Sequence, residues 1–591
     1  MTETITSQRL YQAILHGANR TREKRDDLNR INVFPVVDND TGNNLAHTMH
    51  YILNHAQPHD NVRSTLKDIA RSALIGARGN SGAIFSQYFN GLYLMSSEES
   101  AVSLSELATY FTEAFDKAYK AIEKPVEGTV ITLMRAWAVS FKESLEQRKP
   151  MRDLFETSLS QIKLALGETT QKLEALRALG IVDAGALGYY YFMDGFVQAI
   201  LGQDIHVYQP AAMSLAPIND EAIHRFGESE AIPFRYCTEV LIETTDLDHD
   251  TLRDELKSLG DCLLLSSADN LVRVHMHTNE PWKLVSQTAA HGKILEHKAD
   301  DMVEQNLLAG PPEKKIALVT DSIADLPQEY IFQHHVFQIP LNIMVDGVSY
   351  LDKRTIDPAY LCAHMEAASS SQLNSEQINS FLNPIRKHYE KVLILTVSSH
   401  MSGTYSRFKE ALAAMEPSGP ETVLIDTKVN SGAQGLLVRA AVNMIEAGRA
   451  FPEIVVAIEA LRSKARILVS VLDIAPMAHS GRVSERIGDL LIKLKFKPLV
   501  TIDAEGKGTI KGVAFTPERN RKILLKSLRG KHMEEYVIVH ADALDRAESL
   551  KNDMIRLTGK PPLYITEISS IVTLFAGQGC VAIAYLERTP N

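Results

Sequence analysis

Between Ser7 and about Gly202 the apolar residues recur at spacings of three and four. Leu104, Leu107, Phe111, Phe115, Ala118 and Ile122 form one such stripe, preceded by a capping box at Ser103 and Glu106. Similar periods over 7–30, 62–75, 129–147, 151–166 and 185–201 predict an all-α bundle across residues 1–202. Residues 203–232 are irregular, carry Pro210 and Pro217 and end against Pro233, so a linker is expected there. The period then shortens. YCTEVLIE, DCLLLSS and LVRVHMH predict strands and the stretches near 250–259 and 281–291 predict helices, together a small α/β domain over 233–310. Beyond Gly310-Pro311-Pro312 the runs IALVT, KVLILTV, TVLID, ARILVSV and YVIVH read as buried strands between helical segments. They predict a two-lobed α/β domain over 312–591, so the chain is multidomain.

Composition narrows the class. The chain has 591 residues, 45% of them hydrophobic, which is enough for several packed cores. Its formal charge of -11 leaves no broad cationic footprint, so no nucleic-acid partner is expected. Cys237, Cys262, Cys362 and Cys580 are too scattered for a disulfide framework, and a cytoplasmic location is expected. The N-terminus lacks a basic segment followed by an apolar core, and no uncharged apolar run reaches the roughly 18 residues of a membrane span.

Chemistry-bearing residues concentrate in a few loops. In NVFPVVDNDTGNN, Asp38 and Asp40 lie two residues apart, between a helix-stopping Pro35 and Gly42, which permits a tight turn. Paired carboxylates with neutral oxygens from Thr41, Asn43 and Asn44 suit magnesium better than zinc. Downstream, Arg78-Gly79-Asn80-Ser81-Gly82 opens a helical run, and a glycine-flanked helix start offers N–H groups to an anion. The loops at Glu127-Gly128-Thr129 and Asp183-Ala184-Gly185 also precede helices. Each loop alone is explained as well by ordinary capping. Four of them at helix ends of one bundle point jointly to a phosphate ligand. In the middle segment His275 and His277 alternate along one strand and so share a face, and with Cys237 in reach they would suit zinc. The same spacing also describes surface or core histidines. In the C-terminal half, hydroxyl-rich turns follow the strands at Asp321-Ser322 and Ser398 to Thr404, where α/β sheets tend to bind ligands and where helix caps also fall.

The segments INVFPVVDNDTGNN, ARGNSGAIFSQ, KPVEGTV and VDAGALGY closely resemble, in order and spacing, the ATP-binding domain of dihydroxyacetone kinases and, more closely, of bacterial fatty-acid kinases. The resemblance implies an antiparallel helical barrel that holds ATP at one end through two magnesium ions on the acidic loop. The matching positions are Asp38 and Asp40, with Asn32 a nearby polar group. Asn39 replaces the usual central glycine of that loop, a mild change because Asn tolerates positive φ. Ala186-Leu187 stands where the last loop commonly has Gly-Gln. YCTEVLIE and VRVHMHTNEP resemble the middle domain of fatty-acid kinases, where such a Cys and His pair is associated with metal.

VTDSIADLP, SSHMSGTY, DTKVNSGAQG and HSGRVSE, with Gly481 and Arg482, resemble the DegV-type fatty-acid-binding family across about 312–588. That family implies an acyl chain buried between two lobes and a carboxylate held by hydroxyl residues. The positions here are Ser370 and Ser371, then Ser399, Ser402, Gly403 and Thr404, with Arg482 beside them; Ser370 and Ser399 are the carboxylate candidates. The family's late His-Thr-Gly-Pro-Gly becomes Phe575-Ala576-Gly577-Gln578-Gly579, which removes a histidine expected near the carboxylate. Together the resemblances imply ATP-dependent phosphorylation of a protein-bound fatty acid, a downstream acyltransferase and a homodimer. A kinase of small hydroxylated substrates, or a lipid-binding regulator without turnover, are the alternatives.

Overall fold

The computed structural model describes residues 3–34, 39–202, 232–309, 312, 314–415, 419–480 and 492–588. The chain forms two compact units, Met1–Gly310 and Pro311–Asn591. The expected linker falls almost wholly on 203–231, outside the described residues. No described helix is long and apolar enough to cross a membrane.

In the first unit the three-and-four periods become helices α1 (Ser7–Glu23), α2 (Arg25–Arg30), α3 (Thr41–His55), α4 (Val62–Gly76) and α5 (Gly79–Met95). They continue as α6 (Leu104–Ala121), α7 (Val130–Glu146), α8 (Met151–Lys172), α9 (Glu174–Leu179) and α10 (Ala184–Ile200). Neighbour packing runs α1 to α3 to α4 to α5 to α6 to α7 to α8 to α10 and back to α1, so the bundle closes into a ring. Inward stripes fill the ring with Phe85, Phe89, Phe111, Trp137, Phe141, Phe155, Tyr189 and Phe192, all fully or almost fully buried. Many of their rings meet edge to face, the arrangement aromatic quadrupoles favour. The capping box at Ser103 and Glu106 is formed. Helix α8 outruns its expected end because Leu166 and Thr169 continue the buried stripe.

Four antiparallel strands follow: β3 (Tyr236–Glu243), β4 (Gly260–Ala268), β5 (Leu271–Thr278) and β6 (Lys293–Asp301), in the order β4-β5-β3-β6; a short pair, β1 (Thr4–Thr6) with β2 (Ala101–Ser103), precedes them in the chain. Strand β6 was not expected, because KILEHKADD is rich in charge. Helices His249–Leu256 and Pro281–Ala289 pack on this sheet, and α4 and α5 pack on it from the barrel. The segments read as two domains therefore share one compact unit.

The second unit opens with β7 (Ile316–Asp321), β8 (Phe337–Ile339), β9 (Asn342–Val345), β10 (Val348–Leu351), β11 (Ala368–Ser371), β12 (Lys391–Thr396) and β13 (Glu421–Asp426). It closes with β14 (Ala465–Ser470), β15 (Lys497–Ile502), β16 (Gly508–Ala514), β17 (Met533–His540), β18 (Ile565–Glu567) and β19 (Val581–Glu587). A parallel sheet β13-β12-β7-β8 forms one lobe and a mixed sheet β16-β15-β14-β19-β17-β18 the other, with a small antiparallel sheet β10-β9-β11 beside them. Two buried carboxylates brace the lobes. Asp325, which follows β7, accepts from the Ser569 N–H at 2.8 Å and the Ser431 hydroxyl at 2.6 Å, and pairs with Lys353 at 2.9 Å. Asp352 accepts from the Ser570 N–H at 2.8 Å and the Ser322 hydroxyl at 2.5 Å. Both therefore hold the start of the helix Ser570–Ala576, which ends beside Phe575.

Candidate nucleotide, metal and lipid sites

The loops singled out in the barrel come together at one end of it. Asp40 is the N-cap residue of α3, half-buried, and Asn39 before it adopts φ +54°, the left-handed region in which Asn stands in for glycine. Asp38 lies outside the described residues. The Thr41 hydroxyl donates to Asn32 Oδ1 at 2.5 Å, and both residues are buried. Gly42 is required by closeness: a Cβ there would lie 2.0 Å from the Arg25 carbonyl oxygen. Gly79 opens α5 at φ +59°, where a Cβ would lie 2.2 Å from Asn44 Nδ2, so α3 and α5 meet at their N-termini. Gly82 packs in the same way on Thr48. A Cβ at Gly185 would fall 3.4 Å from Ser81 Oγ, which brings in α10. Asp183 caps α10, accepting from the Ala186 N–H at 2.7 Å, and accepts from the Val130 N–H at the start of α7 as well. Burial pushes the Asp183 carboxyl up to about 7 against those two bonds. Thr129, next to Val130, turns its hydroxyl onto the Val126 carbonyl at 2.8 Å.

Four helix N-termini thus converge, each with backbone N–H groups and the positive end of its dipole. Oxygen donors at Asp40, Thr41 and Asn32 fit a magnesium ion, and the helix ends fit phosphates. Arg78 and Asn80 are engaged by the neighbouring sheet: Arg78 pairs with Glu296, and Asn80 bonds the Cys262 thiol.

On that sheet the antiparallel register sets Cys237 opposite His277 and Glu239 opposite His275. The ligand atoms of Cys237, His275 and His277 lie within 4.8 Å of one another, all three residues buried. His275 Nε2 is buried without a hydrogen-bond partner, and burial holds the ring below its ordinary pKa, in the neutral form that ligates metals. A soft thiol and two imidazoles fit zinc. Burial pushes the Cys237 thiol well up, with Glu239, Asp300 and Asp40 adding to the push and Lys298 opposing it. Asp261, Cys262 and His277 form an adjoining cluster that shares the His277 ring.

The sequence reading missed Glu239 and Arg273. Arg273, 2% exposed, donates to the Leu74 and Ile75 carbonyls at 3.0 and 2.8 Å and to Glu239 at 3.2 Å. The signal was present: Glu239 and Arg273 each stand two residues from a proposed metal ligand, on the same face of a strand.

In the second unit a cavity of about 320 Å³ opens between the lobes. Its walls include Val397, Val469, Met477, Val500, Ile502 and Phe575, and its hydroxyls are Ser370, Ser371, Ser402, Thr404 and Thr501. Gly403 lets the turn close on Gln372, whose Nε2 a Cβ would approach to 2.6 Å. Ser402 and Thr404 share a hydrogen bond of 2.8 Å at the start of the helix Thr404–Ala414. Ser399 is placed elsewhere, its hydroxyl donating to Asp426 at 2.5 Å and its side chain absent from the cavity wall. Arg482 lies outside the described residues. None of the described lining residues carries a charge.

Known protein families match three segments of the chain. A DAK2 domain matches residues 35–198, a FakA-like fatty acid kinase middle domain matches 233–307, and the DegV family of uncharacterised proteins matches 315–588. Uncharacterised proteins from Staphylococcus haemolyticus and Staphylococcus saprophyticus are 29% and 30% identical over 315 residues, 52% of this chain and 57% of theirs. The match thus spans little more than half the length of these curated relatives. Among solved structures, a fatty-acid-binding DegV family protein from Streptococcus agalactiae is 25% identical, with a TM-score of 0.42, over 47% of this chain and 100% of its own. The DegV family protein from Thermus thermophilus, solved for its fatty acid binding, is 23% identical, with a TM-score of 0.43, over 46% of this chain and 100% of its own. This polypeptide therefore carries a DAK2 domain, a FakA-like fatty acid kinase middle domain and a DegV-family region, in that order.

Proposed function

We propose that the chain is a magnesium-dependent phosphotransferase that moves the γ-phosphoryl group of ATP to the carboxylate of a fatty acid held in its C-terminal cavity, giving ADP and an acyl phosphate. One observation carries the reading: a single chain holds both a convergence of four helix N-termini around an acidic loop and a cavity lined by apolar side chains and hydroxyls. Asp38 and Asp40 hold magnesium, with Asn32 and Thr41 beside them. Magnesium, when bound with the nucleotide, offsets phosphate charge. The N–H groups of α3, α5 and α10, with the Ser81 hydroxyl, hold phosphate oxygens. Asp183 keeps the starts of α7 and α10 in register.

The acceptor is already ionised at pH 7, so the site needs no general base; the obstacle is bringing an anion to a triphosphate, which helix-end donors address. Ser370, Ser402 and Thr404 donate to the carboxylate, and Val469, Ile502 and Phe575 cover the acyl chain. A water-poor cavity also protects an acyl phosphate from hydrolysis until an acyltransferase consumes it. Carrying both parts on one chain raises their effective concentration.

The described lining residues carry no charge, which favours a second reading, lipid binding without turnover. ADP release separates the two. The kinase reading expects release that needs magnesium, rises with long-chain fatty acid and is lost in Asp40→Ala. Release indifferent to fatty acid, or an Asp40→Ala protein equal to wild type, rejects it; stimulation by dihydroxyacetone instead assigns a small hydroxylated acceptor.

A further inference from the structure

Glu239 stands between two candidate sites and touches both. Its carboxylate, 1% exposed, accepts from the N–H of Gly79, the first residue of α5, and lies 3.8 Å from Arg78. It also lies 3.3 Å from His275 Nδ1. Cys237 is two residues earlier on the same strand, and Cys237 and Glu239 face His277 and His275 across the register. An ionised carboxylate this deeply buried is costly unless cations and donors surround it. Arg273 at 3.2 Å and Lys298 at 3.8 Å do so.

The two halves of this contact are chemically linked. His275 Nδ1 also lies 3.8 Å from Cys237 Sγ; in the tautomer that donates Nδ1–H to Glu239, the buried and unpartnered Nε2 carries the lone pair left for a metal. The same carboxylate pins the first N–H of α5, and Gly79, Ser81 and Gly82 then face Asn44, Gly185 and Thr48. An ion that fixes the His275 ring fixes Glu239, and Glu239 fixes the loop.

We propose that Glu239 is a positioning residue that couples occupancy of the Cys237, His275 and His277 site to the geometry of the Arg78–Ser81 loop, so that zinc and nucleotide bind with positive linkage. This rests on the nucleotide and metal readings above. Linkage is reciprocal, so each ligand raises the affinity of the other by the same factor.

The test uses the full chain, a fluorescent ATP analogue with saturating magnesium, and zinc supplied or withdrawn with a zinc-selective chelator. Nucleotide affinity is measured with and without zinc, and zinc affinity with and without nucleotide. The expected result is a gain of about tenfold in both directions for wild type. The linkage vanishes in Glu239→Gln while each ligand still binds, and is partly retained in Glu239→Asp. Equal nucleotide affinity with and without zinc in wild type overturns the coupling, and so does a full linkage in Glu239→Gln. If Glu239→Gln does not fold, the wild-type comparison decides alone. Absence of nucleotide binding in either zinc state overturns the nucleotide reading itself, a distinct outcome that also removes the inference.

Discussion

Replacing Gly79 with Ala tests whether the start of α5 is shaped for a ligand or merely turns. Two terms add. The residue sits at φ +59°, where an L side chain costs about 1–2 kcal/mol. The new Cβ would also lie 2.2 Å from Asn44 Nδ2 and 2.9 Å from Asn44 Cγ, so Asn44 must move away from the first turn of α3. Overpacking of this kind costs about 1–3 kcal/mol, and the sum is about 2–5 kcal/mol. Gly180→Ala is the control: φ is +67°, but nothing lies within 4 Å of the added carbon, so only the backbone term applies. The assay is selective, because both tryptophans of the chain, Trp137 and Trp282, lie within Met1–Gly310. Urea denaturation followed by their fluorescence therefore reports the first unit. Gly79→Ala is expected to lower its stability clearly more than Gly180→Ala and to weaken binding of a fluorescent ATP analogue, while Gly180→Ala leaves that binding unchanged. Equal losses of stability, with binding intact in both, would refute the close approach of α3 and α5 as the basis of the site.

The remaining predictions concern charge and the cavity. Phe575→His places a donor on the cavity wall and is expected to tighten binding of a long-chain fatty acid about tenfold, since a hydrogen bond to a charged group contributes about 1.5–3 kcal/mol. Displacement of a fluorescent fatty acid measures it, and weaker binding argues against a head group near that position. Asp325→Ala strands the Lys353 ammonium and frees the Ser569 N–H, and loss of one partner from a buried pair costs about 3–5 kcal/mol. Calorimetry and limited proteolysis of the second unit should show the loss; an unchanged transition contradicts the brace. Burial raises Asp183 to about 7, so the folded state binds a proton that the unfolded state has released. The stabilising share of Asp183 is complete below pH 3.8 and is lost as pH rises toward about 7. The stability of wild type relative to Asp183→Asn should fall between pH 5 and 7.5 without nucleotide, and a flat difference rejects the burial argument.

The helical ring was legible because inward residues recur every three or four positions over long stretches, and caps such as Ser103 and Glu106 mark the starts. Strand β5 was legible from its alternation. Strand β6 was not: its charged residues carry no apolar alternation, yet Glu296 pairs with Arg78 and with the buried Arg273, Lys298 lies near the buried Glu239, and Asp300 pairs with Lys298. Loop glycines marked the helix starts that converge at one end of the ring, but only the folded structure shows that Arg78 and the Gly79 N–H are held by a carboxylate some 160 residues downstream. The hydroxyl turn at Ser402 and Thr404 was found in the sequence, whereas Ser399 in the same turn is drawn to Asp426 by a contact that turn chemistry alone does not specify. Cavity walls from Val469, Val500 and Phe575 are joined by tertiary packing between distant strands and a helix, which no local pattern records.

The central claim is that a fatty-acid carboxylate receives the phosphoryl group, and its product can be captured directly. An acyl phosphate reacts with hydroxylamine to give an acyl hydroxamate, which mass spectrometry identifies. The full chain incubated with ATP, magnesium, a long-chain fatty acid and hydroxylamine is predicted to yield that hydroxamate in step with ADP, and Asp40→Ala is predicted to yield neither. ADP release without hydroxamate, or no fatty-acid-dependent ADP at all, would contradict the account.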